Sequence, residues 1–203
     1  DYVVGSSIEG FELSVKLSEA PLIVIEGDEY LTSPLDLRSK FLWYKPHVSI
    51  ITGIAYDHIN VFPTWESYVD TFKAFIETHL NNTKYFWYAG DETLRGLSQG
   101  TDVTNEPYDT PNYISDKSGT QLTVGGVQYT LNIVGKHNLE NLRAAELVCK
   151  EIGISEEEFY NAAADFSGAG RRMEKIAENS KQVVYRDFAH SPSKLKATTA
   201  AIK

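Results

Sequence analysis

The sequence lacks several features that mark whole classes of protein. It has a single cysteine, Cys149, which excludes a disulfide within the chain and fits a reducing compartment. No apolar run approaches the roughly 20 residues that a membrane-spanning helix needs, and the start, "DYVVGSSIEG", has neither the basic nor the apolar region of a secretion signal. A formal net charge of −9 argues against nucleic-acid binding, which usually requires a basic face. These absences predict a soluble protein of the cytoplasm.

Two catalytic motifs are absent as well. No G-x-S-x-G sequence occurs, which disfavours an α/β hydrolase with its nucleophile elbow. No G-x-x-G-K-[ST] loop, which would cradle a triphosphate, occurs in the 203 residues. The sequence also starts with the strand-like "DYVVG" and stops at the helical "SKLKATTAAIK". We therefore expect these residues to be the middle of a longer protein.

What is present is ordinary for a globular fold, since apolar residues make up 42% of the chain. Continuous apolar runs predict strands covered on both faces at 22–27 and 48–54, and alternation predicts a half-buried strand at 11–18. Along the chain we then expect a helix at 64–80 with Thr64 as its N-cap, a strand at 84–90 and a hairpin at 120–135 around Gly125 and Gly126. Helices are expected at 137–154 and at 155–166, the second capped by Ser155 with Glu158 three residues later. This order predicts an α/β fold, mainly a parallel sheet flanked by helices, with a small β element.

Two stretches interrupt this pattern. Residues 99–118 are rich in glycine, asparagine, aspartate and proline and are expected to form a loop with at most short strands. The glycines of "SGAG" (167–170) follow the last predicted helix of the main body. We expect a domain boundary there, with one domain at 1–168 and the beginning of another at 169–203.

Acidic residues follow the apolar run at 22–25. Glu26, Asp28 and Glu29 lie within four positions, and the next apolar strand leads to Asp57 and His58. If the two strands run parallel, these side chains share the sheet edge at which ligands bind, and carboxylates with an imidazole would hold a hard cation such as magnesium. The alternative is that they are solvated loop residues, with His58 capping a turn.

A second candidate is "GKHNLEN" at 135–141, where a glycine ends a strand and His137 and Asn138 open a helix. Asn141 lies one turn later on a neighbouring face. Asn138 is either the N-cap of this helix or an amide that reads an adenine edge, because an amide donates and accepts at once.

Two more candidates lie near the end of the chain. Arg171 and Arg172 follow the glycines of "GAGRRME" and either clamp a phosphate with forked donors or lie on the surface. Asp187 and His190 follow the predicted strand in "YRDFAHSPS", where a carboxylate suits a pair of ribose hydroxyls. Each signal is weak alone, but their order along the chain is informative.

Taken in order, "EGDEY", "DHIN", "GKHNLEN", "GAGRRME" and "RDFAHSPS" resemble the motifs of the Mur ligases, the ATP-dependent amide-forming enzymes of peptidoglycan assembly. "IEGDEY" followed by "DHINVFPT" is most similar to the branch that joins a recycled tripeptide to UDP-N-acetylmuramate. The resemblance implies a central ATP-binding domain followed by the start of a Rossmann-like C-terminal domain. It also implies ATP and magnesium as cofactors, and UDP-N-acetylmuramate with a peptide or an amino acid as substrates.

The same resemblance implies roles for single residues. Glu26 matches the glutamate that coordinates magnesium, and His58 matches the histidine that holds a second magnesium, a site that manganese would also suit. The start of the helix, His137 with Asn138 and Asn141, matches the part that binds adenine.

The resemblance extends to the predicted domain boundary. Arg172 matches the arginine that reaches the γ-phosphate across that boundary, and Asp187 matches the acid near the ribose. Without a phosphate loop, the 203 residues alone are expected to be inactive as a ligase.

Two positions depart from the family pattern, and a third has an expected role of its own. Gly53 stands where an asparagine is common, and Ser191 replaces the second histidine of the usual "HHP". Lys73 has the spacing at which some members carry a carbamylated lysine, but beside Phe72 and Ala74 it is expected to be a solvated helix residue.

Overall fold

A computed structural model describes residues 1–8, 10–79, 83–116, 119–166, 168–170 and 172–202. The chain divides into two compact units. The first unit comprises Asp1–Glu26, Tyr113–Gly135 and Ala163–Lys203, and the second comprises Gly27–Asn112 and Lys136–Ala162. The boundary expected at 168–170 falls inside the last segment of the first unit and stays a prediction.

The described residues form eleven strands, five α-helices and one 3-10 helix. The strands are β1 (Tyr2–Val3), β2 (Val15–Lys16), β3 (Val24–Ile25), β4 (Val48–Ile51), β5 (Lys84–Tyr88), β6 (Asn105–Tyr108), β7 (Tyr113–Asp116), β8 (Gly119–Val124), β9 (Val127–Leu131), β10 (Glu174–Glu178) and β11 (Val183–Arg186). The helices are α1 (Trp65–Glu77), α2 (Glu92–Gln99), α3 (Lys136–Glu151), α4 (Glu156–Ala164) and α5 (Pro192–Ile202), with a 3-10 helix at Lys40–Trp43. No helix in the described part of the chain is both long and apolar enough to cross a bilayer.

The second unit is built on a parallel sheet in the order β4-β5-β6. Its central strand is buried on both faces, as alternate side chains of a strand point to opposite sides. Tyr85 and Trp87 pack with the aromatic residues of α1, and Phe86 packs on the other face with Ala144 and Leu147 of α3. The predicted α/β architecture, a parallel sheet flanked by helices, is confirmed.

Two helices begin where their sequences indicate. The hydroxyl of Thr64 accepts the backbone N–H of Ser67 at 3.2 Å, as the N-cap of α1. Ser155 caps α4, and the carboxylate of Glu158 accepts the Ser155 N–H at 2.9 Å, which completes a capping box. On the surface of α1, Lys73 is exposed, as expected for a solvated residue.

The stretch 99–118, expected to be a loop with at most short strands, contains two strands of four residues each. "NEPY" has no apolar run, yet it forms β6 and pairs with β5 along its whole length. Pro107 is tolerated there because β6 lies at the edge of its sheet, where no further ladder hydrogen bond is needed from its nitrogen. The strand β6 therefore forms because it pairs with the strongly apolar β5, and not because of its own sequence.

The first unit departs most from the sequence-based expectations. The run at 22–27 forms only the two-residue strand β3, which pairs with β1 in a small sheet of order β2-β1-β3. Leu22 and Val24 are 45% and 55% exposed, so the prediction of a strand covered on both faces is wrong. The half-buried strand expected at 11–18 is also wrong, because only Val15–Lys16 is extended and Leu13 is 69% exposed.

Two other antiparallel sheets belong to the first unit. The hairpin expected around Gly125 and Gly126 is confirmed, with Val124 facing Val127 in register and both glycines at positive φ. β7 adds a third strand to this hairpin. β10 pairs with β11 to form a separate two-stranded sheet ahead of α5.

Candidate functional site

The carboxyl edge of the parallel sheet is joined across its strands by the carboxylate of Asp91. This residue follows β5 and is the N-cap of α2, where Oδ1 accepts the N–H of Leu94 at 3.0 Å. The other oxygen, Oδ2, accepts the N–H of Ile54 at 2.7 Å, in the loop that follows β4. Asp91 therefore fixes the segment that leads to Asp57 and His58.

Replacing Asp91 with alanine should lower the free energy of unfolding by about 2 kcal/mol, because α2 loses its cap and the Ile54 N–H loses its acceptor. Asp91→Asn should cost about half as much, since asparagine caps helices well but presents an amide N–H₂ to Ile54. Urea unfolding of the three proteins measures both effects. Equal stability of the alanine and asparagine variants would contradict the role of Asp91 as the N-cap of α2.

The N-terminus of α3 lies at the same sheet edge. Nζ of Lys136, the first residue of α3, donates to the phenol oxygen of Tyr88 at 2.7 Å, where β5 ends. Lys136 also pairs with Glu140, whose carboxylate accepts the hydroxyl of Thr110 at 3.0 Å, just after β6. Burial acts to lower the pKa of Lys136, but the hydrogen bonds to Glu140 and Tyr88 outweigh it and raise that pKa. Lys136 is therefore charged at the edge of the sheet.

The residues predicted to bind adenine lie in the first turns of α3. His137 and Asn138 are partly buried, and Asn141 is exposed. Because α3 begins at Lys136, Asn138 lies inside the helix and the N-cap alternative is wrong. A helix N-terminus presents free N–H groups and a positive partial charge, which suits an anionic ligand such as a nucleotide.

His58 lies in a cluster of polar and aromatic side chains within the second unit. Its Nε2 is 3.5 Å from Oε1 of Glu29, and the hydroxyl of Tyr68 donates to the same oxygen at 3.1 Å. The ring of Tyr30 packs edge-on against the imidazole with 5.0 Å between centroids. Asn60 in turn donates to the hydroxyl of Tyr30 at 2.9 Å. The sequence predicted that the acidic cluster and His58 would lie together, and Glu29 is the member of that cluster that lies against His58.

Hydrogen bonds also stabilise the backbone conformation of His58. Its φ of 54° is left-handed, which is uncommon for a residue other than glycine. Oδ1 of Asp57 accepts the His58 N–H at 2.8 Å, and the His58 carbonyl accepts N–H groups of Val61 and Phe62 at 2.8 and 3.0 Å. These bonds stabilise a backbone conformation that would otherwise be strained.

The three clustered carboxylates have three different partners. Oε2 of Glu26, in the first unit, accepts the N–H of Gly5 at 2.6 Å. A Cβ at Gly5 would lie 3.3 Å from that oxygen, so glycine permits this close approach. Asp28, in the second unit, pairs with Nζ of Lys40 at 2.6 Å. Glu29 accepts the hydroxyl of Tyr68 at 3.1 Å, so each of the three carboxylates has its own hydrogen-bond partner.

A shared metal site at one sheet edge does not follow from strand pairing. β3 pairs with β1, whereas β4 pairs with β5, so the strands that lead to Glu26 and His58 belong to different sheets. Among the described residues, no group of three or more histidine, cysteine, aspartate or glutamate side chains is arranged to hold a metal. A single carboxylate can nevertheless hold magnesium together with phosphate oxygens and water, which is how this ion is usually bound.

Arg172 and Asp187 lie in the first unit. The Arg172 guanidinium is exposed, with Cζ 5.9 Å from the centroid of the Phe188 ring; Arg171 lies outside the described residues. Oδ2 of Asp187 accepts the Met173 N–H at 2.8 Å, and Oδ1 accepts the Ala189 N–H at 2.7 Å. Burial acts to raise the pKa of Asp187, but these backbone bonds more than offset it and hold that pKa below its usual value.

The other two motif residues in this region have local partners. Nδ1 of His190 is 2.8 Å from the Phe188 carbonyl oxygen. Ser191, which stands in place of a second histidine, is buried with its hydroxyl 3.2 Å from that of Ser193. Neither contact assigns a role in binding.

Sequence reasoning missed Asp91, Lys136 and the partnership of Tyr68 with Glu29. Asp91 carries a usable signal, since an aspartate between an apolar strand and a helical stretch is a typical N-cap. The Tyr68–Glu29 contact carries none, because it joins positions 39 residues apart.

Comparison with known proteins supports the resemblance to the Mur ligases along most of the chain. The family model of the Mur ligase middle domain matches residues 13–149. The chain is 29% identical to UDP-N-acetylmuramate–L-alanyl-γ-D-glutamyl-meso-2,6-diaminoheptandioate ligase of Escherichia coli K12, over 100% of this chain and 46% of that protein. It is 28% identical to UDP-N-acetylmuramate–L-alanine ligase of Syntrophomonas wolfei, over 100% of this chain and 45% of that protein. The chain thus spans about half the length of these relatives.

Solved structures give the same fold. UDP-N-acetylmuramate–alanine ligase of Thermotoga maritima superimposes with a TM-score of 0.74 at 20% identity, covering 99% of this chain and 46% of that one. The Neisseria meningitidis ligase for L-alanyl-γ-D-glutamyl-meso-diaminopimelate gives 0.71 at 21% identity, covering 82% of this chain and 57% of that one. Since the middle-domain model matches more than half of the residues, the chain belongs to the Mur ligase family.

Proposed function

We propose that this chain is the central part of an ATP-dependent ligase that joins the amine of L-alanyl-γ-D-glutamyl-meso-diaminopimelate to the carboxylate of UDP-N-acetylmuramate. Members of the Mur ligase family are ATP-dependent ligases that form C–N bonds. The observation that carries the proposal is the middle-domain match over residues 13–149. The reaction would take place in the cytoplasm, during recycling of cell-wall peptides.

The acceptor is the finer part of the proposal. Relatives that use the tripeptide and relatives that use L-alanine both match the whole chain, at 29% and 28% identity. The tripeptide is favoured by "IEGDEY" and "DHIN" at Glu26 and His58, which are most similar to that branch. L-Alanine is the alternative acceptor.

The proposed reaction has two steps. The muramyl carboxylate attacks the γ-phosphate of ATP, which gives an acyl phosphate and ADP. The amine of the acceptor then attacks the acyl carbon, the C–N bond forms and inorganic phosphate leaves. The protein contributes mainly positioning and electrostatic stabilisation in such phosphoryl transfers.

Nucleotide binding is proposed for the first turns of α3. Asn138 and Asn141 would contact the adenine, with His137 beside them, and Asp187 would lie near the ribose. The contact of Lys136 with Tyr88 supports this role, because it holds the helix N-terminus at the ligand-binding edge of the sheet.

Metal binding is proposed for Glu26 and His58. Oε1 of Glu26 is left for a cation when Oε2 accepts the Gly5 N–H, and the imidazole of His58 is held by its neighbours. Bound magnesium, or manganese, would neutralise charge on the phosphate oxygens. Arg172, exposed after the glycines of "GAG", would stabilise the transferred phosphoryl group.

The acceptor is tested with the protein purified from its native source. Phosphate release and product mass are measured with ATP, UDP-N-acetylmuramate and either the tripeptide or L-alanine. We expect the tripeptide to give the higher kcat/KM, and the 203 residues alone to give no turnover. Preference for L-alanine would assign the protein to the other branch, and no ligation with either acceptor would refute the ligase.

A second candidate function is a non-catalytic nucleotide- or metal-binding module. It is favoured by the absence of a G-x-x-G-K-[ST] sequence from these 203 residues. The mass of the natively purified protein discriminates the two. A longer protein with an upstream phosphate loop supports the ligase, and a protein of these residues alone supports the module.

A further inference from the structure

We propose that Glu29 is a positioning residue for His58, and that Tyr68 holds Glu29 in place for that purpose. Glu29 would then act on metal binding only through the imidazole, and would not itself be a ligand. The inference rests on the proposed function for the metal-binding role of His58, but the contact between the side chains stands on its own geometry.

The first step is the approach of Glu29 to the imidazole. Nε2 of His58 lies 3.5 Å from Oε1 of Glu29. This is an ion-pair distance rather than a hydrogen bond. The negative charge of Glu29 favours a proton on the ring nitrogen nearest to it, which is Nε2. Nδ1 is then the nitrogen whose lone pair is available to a metal. A carboxylate or carbonyl beside the other ring nitrogen of a metal-binding histidine usually sets its tautomer and orients the ring.

The second step is the fixed position of Glu29 itself. The hydroxyl of Tyr68 donates to Oε1 at 3.1 Å, and Tyr68 is only 2% exposed. Its ring packs against Phe62 and Phe72, with centroids 5.1 and 5.2 Å away, so the hydroxyl has little freedom to move. Burial, reinforced by the charge of Glu29, raises the pKa of Tyr68, which keeps the phenol protonated as a donor.

The third step is the packing of Tyr30 against the imidazole, which leaves the His58 side chain 31% exposed. Tyr30 packs edge-on against it at 5.0 Å, and Asn60 anchors Tyr30 through its hydroxyl. The backbone of His58 is held by Asp57. The ring is thus packed on one side by Tyr30 and its backbone is held, and Glu29 supplies the charged contact that favours the proton on one of the two nitrogens.

The first test is the NMR spectrum of the His58 ring nitrogens in a ¹⁵N-histidine-labelled chain. Tyr68→Phe removes one hydroxyl and keeps the ring, and Glu29→Met removes the carboxylate with little change of shape. Both should shift the His58 signals. Tyr56→Phe is the matched control, because the Tyr56 hydroxyl donates to the Phe62 carbonyl at 2.7 Å in the same aromatic group. Signals unchanged in Tyr68→Phe and Glu29→Met would overturn the proposal.

The second test is a double-mutant cycle on Mn²⁺ affinity, titrated with a non-hydrolysable ATP analogue present. Glu29→Met should weaken binding by about 10- to 100-fold, the usual effect of losing a residue that orients a ligand. In the His58→Ala background, Glu29→Met should have no further effect. A further loss there would identify Glu29 as a ligand and overturn the proposal.

The two failures are distinguishable. If His58→Ala leaves the Mn²⁺ affinity unchanged, the metal-binding part of the proposed function fails, whatever the NMR spectra show. If His58→Ala weakens binding while Glu29→Met does not, the proposed function survives and the positioning role of Glu29 fails. Thermal unfolding of each variant shows whether the fold is retained.

Discussion

Replacing Arg172 with alanine is expected to lower the turnover of ligation by about a thousandfold or more. An arginine that stabilises the transferred phosphoryl group acts mainly in the transition state, and such arginines are worth about 10³- to 10⁵-fold in rate. The Arg172 guanidinium is exposed beside Phe188, so its loss should cost little stability. The measurement is kcat of the natively sized protein with ATP, UDP-N-acetylmuramate and tripeptide, where kcat should fall far more than the KM for ATP changes.

Arg186→Ala is the control for this effect. Arg186 lies in the same unit and is also exposed, but it is paired with Glu174 through two bonds of 2.7 and 2.8 Å to Nη2. Its replacement should leave kcat within about twofold, because an exposed ion pair contributes little to the stability of the fold. A loss of less than tenfold in Arg172→Ala would remove Arg172 from the phosphoryl site, and equal losses in both variants would indicate a general effect of charge.

Replacing Glu146 with alanine should lower the free energy of unfolding by about 3 kcal/mol. Glu146 is 4% exposed and joins two helices: Oε1 accepts Nη1 of Arg143 in α3, and Oε2 accepts the hydroxyl of Tyr160 in α4, both at 2.6 Å. Alanine leaves a buried phenol and a half-buried guanidinium without their acceptor, which costs more than the lost bonds alone. The midpoint of thermal unfolding should fall by about 6–12 °C.

Glu151→Ala is the matched control on the same helix. Glu151 pairs with Lys84 at 2.8 Å on the surface, and removing it should cost about 0.5 kcal/mol or less. Tyr160→Phe should fall between the two, since it removes one donor and keeps the buried ring. Equal unfolding midpoints for Glu146→Ala and Glu151→Ala would show that the buried carboxylate contributes nothing to the packing of α3 against α4.

The sequence predicts correctly those elements that are stabilised by contacts between residues close together in the chain. The Thr64 cap of α1, the Ser155–Glu158 capping box and the turn at Gly125–Gly126 each depend on residues a few positions apart, and all three are confirmed. The strand β6 could not be predicted in the same way, since "NEPY" becomes extended only because β5 offers a ladder beside it.

The apolar runs led to the opposite kind of error, because they predicted buried strands where the structure has exposed side chains. Leu13, Leu22 and Val24 follow the patterns of buried strands but are exposed in the small sheet of the first unit. Their hydropathy states what the side chains would gain from burial, not whether a neighbouring element covers them. The site shows the same division: His58 follows from sequence and the resemblance, whereas Tyr68 becomes its indirect partner only through contacts between distant positions.

The interleaving of the two units has a consequence for how the chain acquires its structure during synthesis. The second unit requires both Gly27–Asn112 and Lys136–Ala162, so the helix that covers one face of its sheet emerges from the ribosome after the hairpin of the other unit. The first unit likewise closes on its last segment, which begins at Ala163. Neither unit can be complete when only half of the chain has been synthesised. The apolar face of β5 that carries Phe86 stays uncovered until α3 has been made. A chain halted near residue 112 would expose that face, and transiently exposed apolar surface of this kind promotes aggregation.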